Sequence, residues 1–236
     1  MVDFSYSTIP QEDRKPTIGL IVLRSDETIE PELHQWLPPA ESDLLVSRVP
    51  SGEEVTEETL GEMANHITQA AELFPRSSRF DAVAYCCTSG TSVIGAGKVA
   101  SLVQDGCETR AVTNPLTALV AACEKRSIRR LAFLSPYIES VSSHLRNVVA
   151  EHGIESPVFG TFNEGEEAKV AWIDAQSVKD AAASLVQSAD VDGVFLSCTN
   201  LKTYGLIEEM EVELGLPVLS SNYVLAEHLR DLVSRN

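Results

Sequence analysis

The chain has 236 residues, 44% of them hydrophobic, and a formal net charge of −17. That length and apolar content support a substantial core, as one two-lobed globule or as two domains of roughly 110 residues each, and exclude a disordered chain. So acidic a composition excludes a general nucleic-acid or anionic-membrane surface, since both need clustered Lys and Arg to meet phosphates. The opening Met1-Val-Asp-Phe-Ser-Tyr6 has no basic region followed by an apolar segment, and no later stretch approaches ~20 uninterrupted apolar residues. A soluble, cytoplasmic protein is expected, with no membrane partner and no nucleic-acid partner; a homo-oligomer is allowed.

Residues 1–16 are polar, carry Pro10 and Pro16, and read as a loose arm. Thereafter short β-rich runs alternate with longer helical patterns. Strands are expected near 17–23, 43–49, 81–86, 110–112, 131–134, 157–159, 192–197 and 217–219. Helical periodicity runs over 57–73, 115–125, 138–152, 177–188 and 206–214, with Gly153 and Gly215 as stops, and a last helix closes the chain. This alternation predicts an α/β fold with largely parallel sheets.

The run Asp81-Ala-Val-Ala-Tyr-Cys-Cys87-Thr88 has a counterpart in Asp192-Gly-Val-Phe-Leu-Ser-Cys198-Thr199: an Asp, a hydrophobic strand, then Cys-Thr. Upstream, Thr17-Ile-Gly-Leu-Ile-Val-Leu23 precedes Cys87 by about the interval that separates Arg130-Leu-Ala-Phe-Leu-Ser135 from Cys198. An internal repeat follows. It predicts two similar doubly wound, Rossmann-like lobes related by a pseudo-twofold, with the active site in the cleft between them. The first lobe would comprise residues 1–115 plus 217–236, the final strand and helix returning to it, and the second residues 116–216. Two chain crossings would form a hinge for opening the cleft.

Five cysteines, an odd number without a secretion signal, read as reduced thiols. They form no CxxC pair, and the five histidines lack metal-ligand spacing, so neither a metal nor a cofactor is expected. Cys87 and Cys198 each end an apolar strand and enter a polar turn, Thr88-Ser89-Gly90 and Thr199-Asn200-Leu201, whose free N–H groups favour a thiolate or a bound carboxylate. A helix start is read at 91–98. Cys86, one residue earlier, should face the opposite side and pack; Cys107 and Cys123 read as packing or surface residues. Asp26, just after the first strand, either faces a ligand or caps the next helix. Tyr137 after Ser135-Pro136 brings a phenol to the cleft, and Asn163 offers an amide or is an ordinary loop residue. The acidic run 164–167 reads as a solvated face. Gly97-Lys98 fails the phosphate-loop pattern, and no Gly-x-Ser-x-Gly elbow occurs.

The paired Cys-Thr turns, Ile18-Gly-Leu-Ile-Val22, Ser135-Pro136-Tyr137 and Ser197-Cys198-Thr199-Asn200-Leu201 together resemble the aspartate/glutamate racemase superfamily, in its maleate isomerase and arylmalonate decarboxylase branch. The resemblance implies two α/β lobes, no cofactor, Cys87 and Cys198 as the reactive pair, and a small carboxylate held by Thr88, Ser89, Tyr137 and Thr199. Maleate isomerases carry Asn where this chain has Asp26, an anion better suited to an ammonium or hydroxyl group. The Ser25-Asp-Glu-Thr-Ile-Glu-Pro-Glu32 segment and the Asp81–Ser89 run look closer to the ectoine-utilisation group, which implies an amino-acid-like intermediate of ectoine or hydroxyectoine breakdown. Arylmalonate decarboxylases keep the second cysteine alone. Cofactor-independent isomerisation or racemisation is therefore the leading expectation. Maleate cis-trans isomerisation, decarboxylation of a malonate-type acid, non-catalytic carboxylate binding and dithiol redox chemistry are the alternatives.

Overall fold

The structure, a computed structural model, describes residues 1–10 and 13–234; residues 11, 12, 235 and 236, the first two within the expected arm, lie outside the described residues. Two four-stranded parallel sheets are built from the two halves of the chain. The first contains β1 (Thr17–Leu23), β2 (Asp43–Val49), β3 (Ala82–Cys86) and β4 (Val112–Thr113), in the order β2-β1-β3-β4. The second contains β5 (Arg130–Tyr137), β6 (Glu155–Glu164), β7 (Gly193–Leu196) and β8 (Val218–Ser220), in the equivalent order β6-β5-β7-β8. The repeat in the sequence is thus a repeat of topology.

The central strands are buried along nearly their whole length, whereas β2 and β6, at the sheet edges, alternate in exposure. That contrast follows from helices covering both faces of each sheet. On β1, Ile18, Leu20 and Val22 point to one face and Ile21 and Leu23 to the other, as the two-residue period requires. The first set joins Ala84 and Cys86 of β3 with Phe133, Phe195 and Leu219 of the second sheet in one core. The second set joins Val83 and Tyr85 with Ala132, Leu134 and Leu196. Both cores span both sheets, so the halves share their interior.

Helix α1 (Ile29–Trp36) buries the stripe Ile29, Leu33 and, just beyond it, Leu37. The periodic stretch 57–73 is broken into α2 (Glu57–Glu62), a 3₁₀ turn Met63–Asn65, and α3 (Ile67–Glu72); Gly61 and Asn65, both weak helix formers, coincide with the break. Then come α4 (Thr88–Ile94), α5 (Ala96–Gly106) and α6 (Pro115–Arg126), the last opened by Asn114, whose Oδ1 accepts from the Thr117 N–H at 2.8 Å, with Pro115 at its first position. The second half adds α7 (Glu139–Glu151), α8 (Glu167–Val170), α9 (Ala175–Ser188) and α10 (Ile207–Leu214).

The chain end differs from the sequence expectation. The strand expected to return to the first lobe is β8, which pairs with β7 as the edge of the second sheet. Only the helix after it, α11 (Ser221–Ser234), goes back, lying against α6, α1 and β3. A three-residue strand carries no pattern that assigns it to one sheet; its short link from α10 keeps it beside β7. Among the described residues no helix is long and apolar enough to cross a membrane.

Candidate active site

Cys87 is the residue at which β3 gives way to α4. Its backbone is extended (φ −149°), and its Sγ accepts the Gly90 N–H at 3.2 Å, so the thiol itself caps the helix. The helix therefore starts at Thr88, three residues earlier than the sequence suggests, because a cysteine is not among the usual caps. Gly90 is needed there: a Cβ would lie 2.7 Å from the Tyr85 Oη and 2.9 Å from both Cys87 Sγ and Met63 Cε. Cys86 packs in the opposite core. Cys123 is buried and Cys107 half-buried.

Cys198 ends β7 differently. Its φ of 117° is one that L-residues rarely adopt, and its Sγ accepts the Asn200 N–H at 3.2 Å. Ser221, the first residue of α11, ties the two cysteine turns together. Its Oγ accepts the Cys198 N–H at 3.0 Å and the Thr88 Oγ1–H at 2.8 Å.

Tyr137, at the end of β5, places its hydroxyl 2.9 Å from Cys198 Sγ and donates to Glu167 Oε2 at 2.5 Å. Glu167 opens α8 and is only 3% exposed. The run 164–167 is thus not a solvated face throughout: Glu167 and Val170, one helical turn apart, point inward, and Glu167 enters the site. That i, i+3 spacing was the available signal, obscured by the acids around it.

These groups enclose a cavity of about 20 Å³, room for about one water. Cys87, Thr88, Ser89, Tyr137, Cys198 and Thr199 all line it. Its cover is the segment 51–63, which supplies Ser51, Gly52, Val55, Leu60 and Met63. Three expected site residues stand outside the lining. Asp26 is buried just before α1, where its Oδ1 accepts the N–H groups of Thr28 and Ile29 at 2.8 and 2.9 Å, while its Oδ2 is buried with no hydrogen-bond partner among the described residues. Asn200 is a buried clamp: it accepts the Glu27 N–H at 2.9 Å and donates to the Glu167 carbonyl at 3.1 Å. Asn163 is exposed at the end of β6 with φ 55°, a left-handed turn residue.

Sequence reasoning also missed Arg48. Its guanidinium donates to the carbonyls of Leu23 at 2.9 Å and Asp26 at 3.0 Å and pairs with Glu30, fixing the loop after β1.

Burial dominates the electrostatics. It pushes the Cys87 thiol up to about 12, against the opposing Gly90 N–H, with Glu167 and Asp26 adding to the rise. It also drives Cys198 well above the ordinary thiol range. The turns were expected to favour thiolates, but in this closed site desolvation outweighs their N–H groups. The Glu167 carboxyl is pushed up to about 7, first by burial and then by Asp26, against the Tyr137 hydrogen bond. Asp26 is raised by burial as well. Among the described residues, the lining contains Glu54 and Glu167 but no Lys, Arg or His, and no cluster of His, Cys, Asp or Glu is arranged to hold a metal.

The chain is similar to an arylmalonate decarboxylase of Bordetella bronchiseptica, 30% identical over 111 residues that span 47% of this chain and 46% of the relative. It is 26% identical over 215 residues to the maleate isomerase of Nocardia farcinica, covering 86% of this chain and 84% of that one. Its fold superposes on the crystal structure of the maleate isomerase Iso from Pseudomonas putida S16 with a TM-score of 0.84, at 19% identity and 94% coverage of both chains. The arylmalonate decarboxylase (Amdase) family model matches residues 18–227, from β1 into α11, and the chain belongs to that family.

Proposed function

We propose that this protein is a cofactor-independent isomerase or racemase of a small carboxylate, with Cys87 and Cys198 as its two working thiols. One observation carries the reading: a thiol from each half of the chain lines the same small cavity. Inversion at a carbon next to a carboxylate needs a proton removed from one face and supplied to the other, a task that two thiols meeting the substrate from opposite sides would perform. A decarboxylation needs only one proton delivered, so it leaves Cys87 without a task.

In racemisation one cysteine, as thiolate, takes the α-proton while the other, as thiol, protonates the opposite face; the roles reverse with substrate hand. The hydroxyls of Thr88, Ser89 and Thr199 hold the carboxylate and stabilise the enediolate that develops, an effect worth several kcal/mol. In a cis-trans isomerisation Cys87 instead adds to the double bond, permits rotation and leaves, while Cys198 handles the proton.

The charge around the cavity supports an amino-acid-like substrate over a dicarboxylate. Asp26 and Glu167 are buried acids, and no cationic side chain lines the space to balance a second carboxylate. An ammonium or hydroxyl group meets Glu167 favourably, in keeping with an intermediate of ectoine or hydroxyectoine breakdown.

The test is incubation of wild type, Cys87→Ala and Cys198→Ala in deuterated water with maleate, aspartate, hydroxyaspartate, diaminobutyrate and its acetyl derivatives. Exchange with inversion, or isomerisation, in wild type and its loss in either variant is the expected NMR result. Binding of an acid with no exchange, isomerisation or loss of carbon dioxide defeats the proposal in favour of a binding protein.

A further inference from the structure

We propose that Glu167 is the proton acceptor that charges Cys198, acting through the Tyr137 hydroxyl. This rests on the reading of Cys198 as a working thiol but concerns how that thiol is made reactive. Glu167 does not touch the reacting atoms in this scheme; its role is to set the state of the cysteine.

The geometry is a continuous three-member chain. Cys198 Sγ is 2.9 Å from the Tyr137 hydroxyl, which in turn donates to Glu167 Oε2 at 2.5 Å. Since the phenol hydrogen is committed to the carboxylate, the remaining contact is satisfied by the thiol donating to the phenol oxygen. Two protons then move in concert. The S–H bond breaks as the phenol oxygen takes its proton, and the former phenol O–H breaks as Glu167 takes that one. Thiolate, phenol and carboxylic acid replace thiol, phenol and carboxylate. Charge is conserved.

Such a device answers a specific difficulty of this site. Both thiols are buried and driven to stay protonated, so hydroxide in bulk solvent is a poor activator at neutral pH. A carboxylate that remains basic to about pH 7, one phenol away, gives the proton a destination inside the closed cavity. The side-chain oxygens of Glu167 have a protein partner in Tyr137, and its backbone is held separately: its N–H donates to the Glu53 carbonyl at 3.3 Å and its carbonyl accepts from Asn200 Nδ2 at 3.1 Å. The side chain can change protonation state without releasing the loop.

The titratable groups around Glu167 come from every neighbouring element. Tyr137 reaches it from β5, Cys198 from the end of β7, Cys87 from the end of β3, and Asp26 from the loop after β1. Glu53 and Glu54 approach along the backbone from the cover segment. Burial and then Asp26 disfavour the anion, which keeps the carboxylate a competent base. Among the described residues Cys87 has no equivalent chain: its Sγ accepts the Gly90 N–H, and the hydroxyl of Tyr85, beside it, donates to Met63 Sδ rather than to a carboxylate. The two cysteines therefore differ in how they are activated.

Iodoacetamide labelling of the full chain, resolved by peptide mass spectrometry, tests this without any substrate, with Cys87 in the same molecule reporting access. In wild type the Cys198 rate should rise to a plateau through about pH 7. Glu167→Gln should remove the plateau and leave a Cys198 rate that keeps climbing with pH, because the anion that holds the thiols up is gone. Tyr137→Phe, which keeps the carboxyl but removes the link, should lower the Cys198 rate at about pH 8 by at least about tenfold, and circular dichroism establishes that both variants are folded. A Cys198 profile unchanged in Glu167→Gln, or a wild-type profile without the inflection, overturns the relay. If the labelling behaves as expected and no acid is exchanged or isomerised, the relay stands and the proposed reaction falls.

Discussion

Val55 donates its backbone N–H to the Gly165 carbonyl at 3.1 Å, joining the cover of the cavity to the loop that carries Glu167. Beside it the Glu167 N–H donates to Glu53, and Glu54 bridges Glu166 in antiparallel fashion. A space of about 20 Å³ holds about one water, so the site is expected to widen as a substrate enters, with these main-chain bonds yielding. Val55→Pro removes the first of them. Labelling of Cys87 and Cys198 should then accelerate together by roughly tenfold, corresponding to about 1.4 kcal/mol less to open. Unchanged rates would place the entrance elsewhere.

Ser221 is the shared partner of the two cysteine turns, so Ser221→Ala strips a buried acceptor from both the Cys198 N–H and the Thr88 hydroxyl. A stability loss of about 1–3 kcal/mol in urea unfolding is expected, with a fall in turnover, because both walls lose their common anchor. A variant as stable as wild type would mean that the hydroxyl is not their tie.

Cys198→Gly and Cys198→Ala should separate chemistry from backbone strain. Both lose the thiol, but only glycine relaxes at φ 117°. The glycine variant should therefore be the more stable of the pair by about 1 kcal/mol, despite losing more side-chain contact. The reverse order would show the thiol's packing to outweigh the strain.

Glu167 should also leave a mark on the pH dependence of stability. Its carboxyl rises from the ordinary 4.5 to about 7 on folding, so the folded state binds the proton more tightly than the unfolded one. Stability from this group is fully present below about pH 4.5 and declines as pH climbs through about 7. Glu167→Gln should flatten that decline, by on the order of 3 kcal/mol between pH 4.5 and 8 in urea titrations. A slope identical to wild type would show that the folded protein does not hold the carboxyl in this way.

Much of the fold was legible because the strands announce themselves. The matching Asp-to-Cys-Thr runs fall on β3 and β7, and Thr17–Leu23 and Arg130–Ser135 fall on β1 and β5. Residues whose position follows from the end of such a strand, Cys87, Cys198, Tyr137 and Thr199, could be brought to one place from the sequence. Asp26, Asn163 and Asn200 sit in loops, where direction depends on local hydrogen bonds: capping turns the first inward beneath the cavity, and a left-handed φ leaves the second in solvent. Glu167 and Ser221 escaped because their roles arise from pairs 30 and 23 residues apart in the chain. The two crossings expected to form a hinge join halves whose cores span both sheets.

The lodging of α11 against α6, α1 and β3 bears on synthesis as well. The face of the first sheet that carries Leu20 and Ala84 takes Val224, Leu225 and Leu229 into its core. As the polypeptide leaves the ribosome, that face stays without its last covering helix until residues 221–234 emerge, although its own strands were made more than a hundred residues before. The amino-terminal half of this chain must wait for that helix before its own core is covered, and in that interval an apolar face is left open.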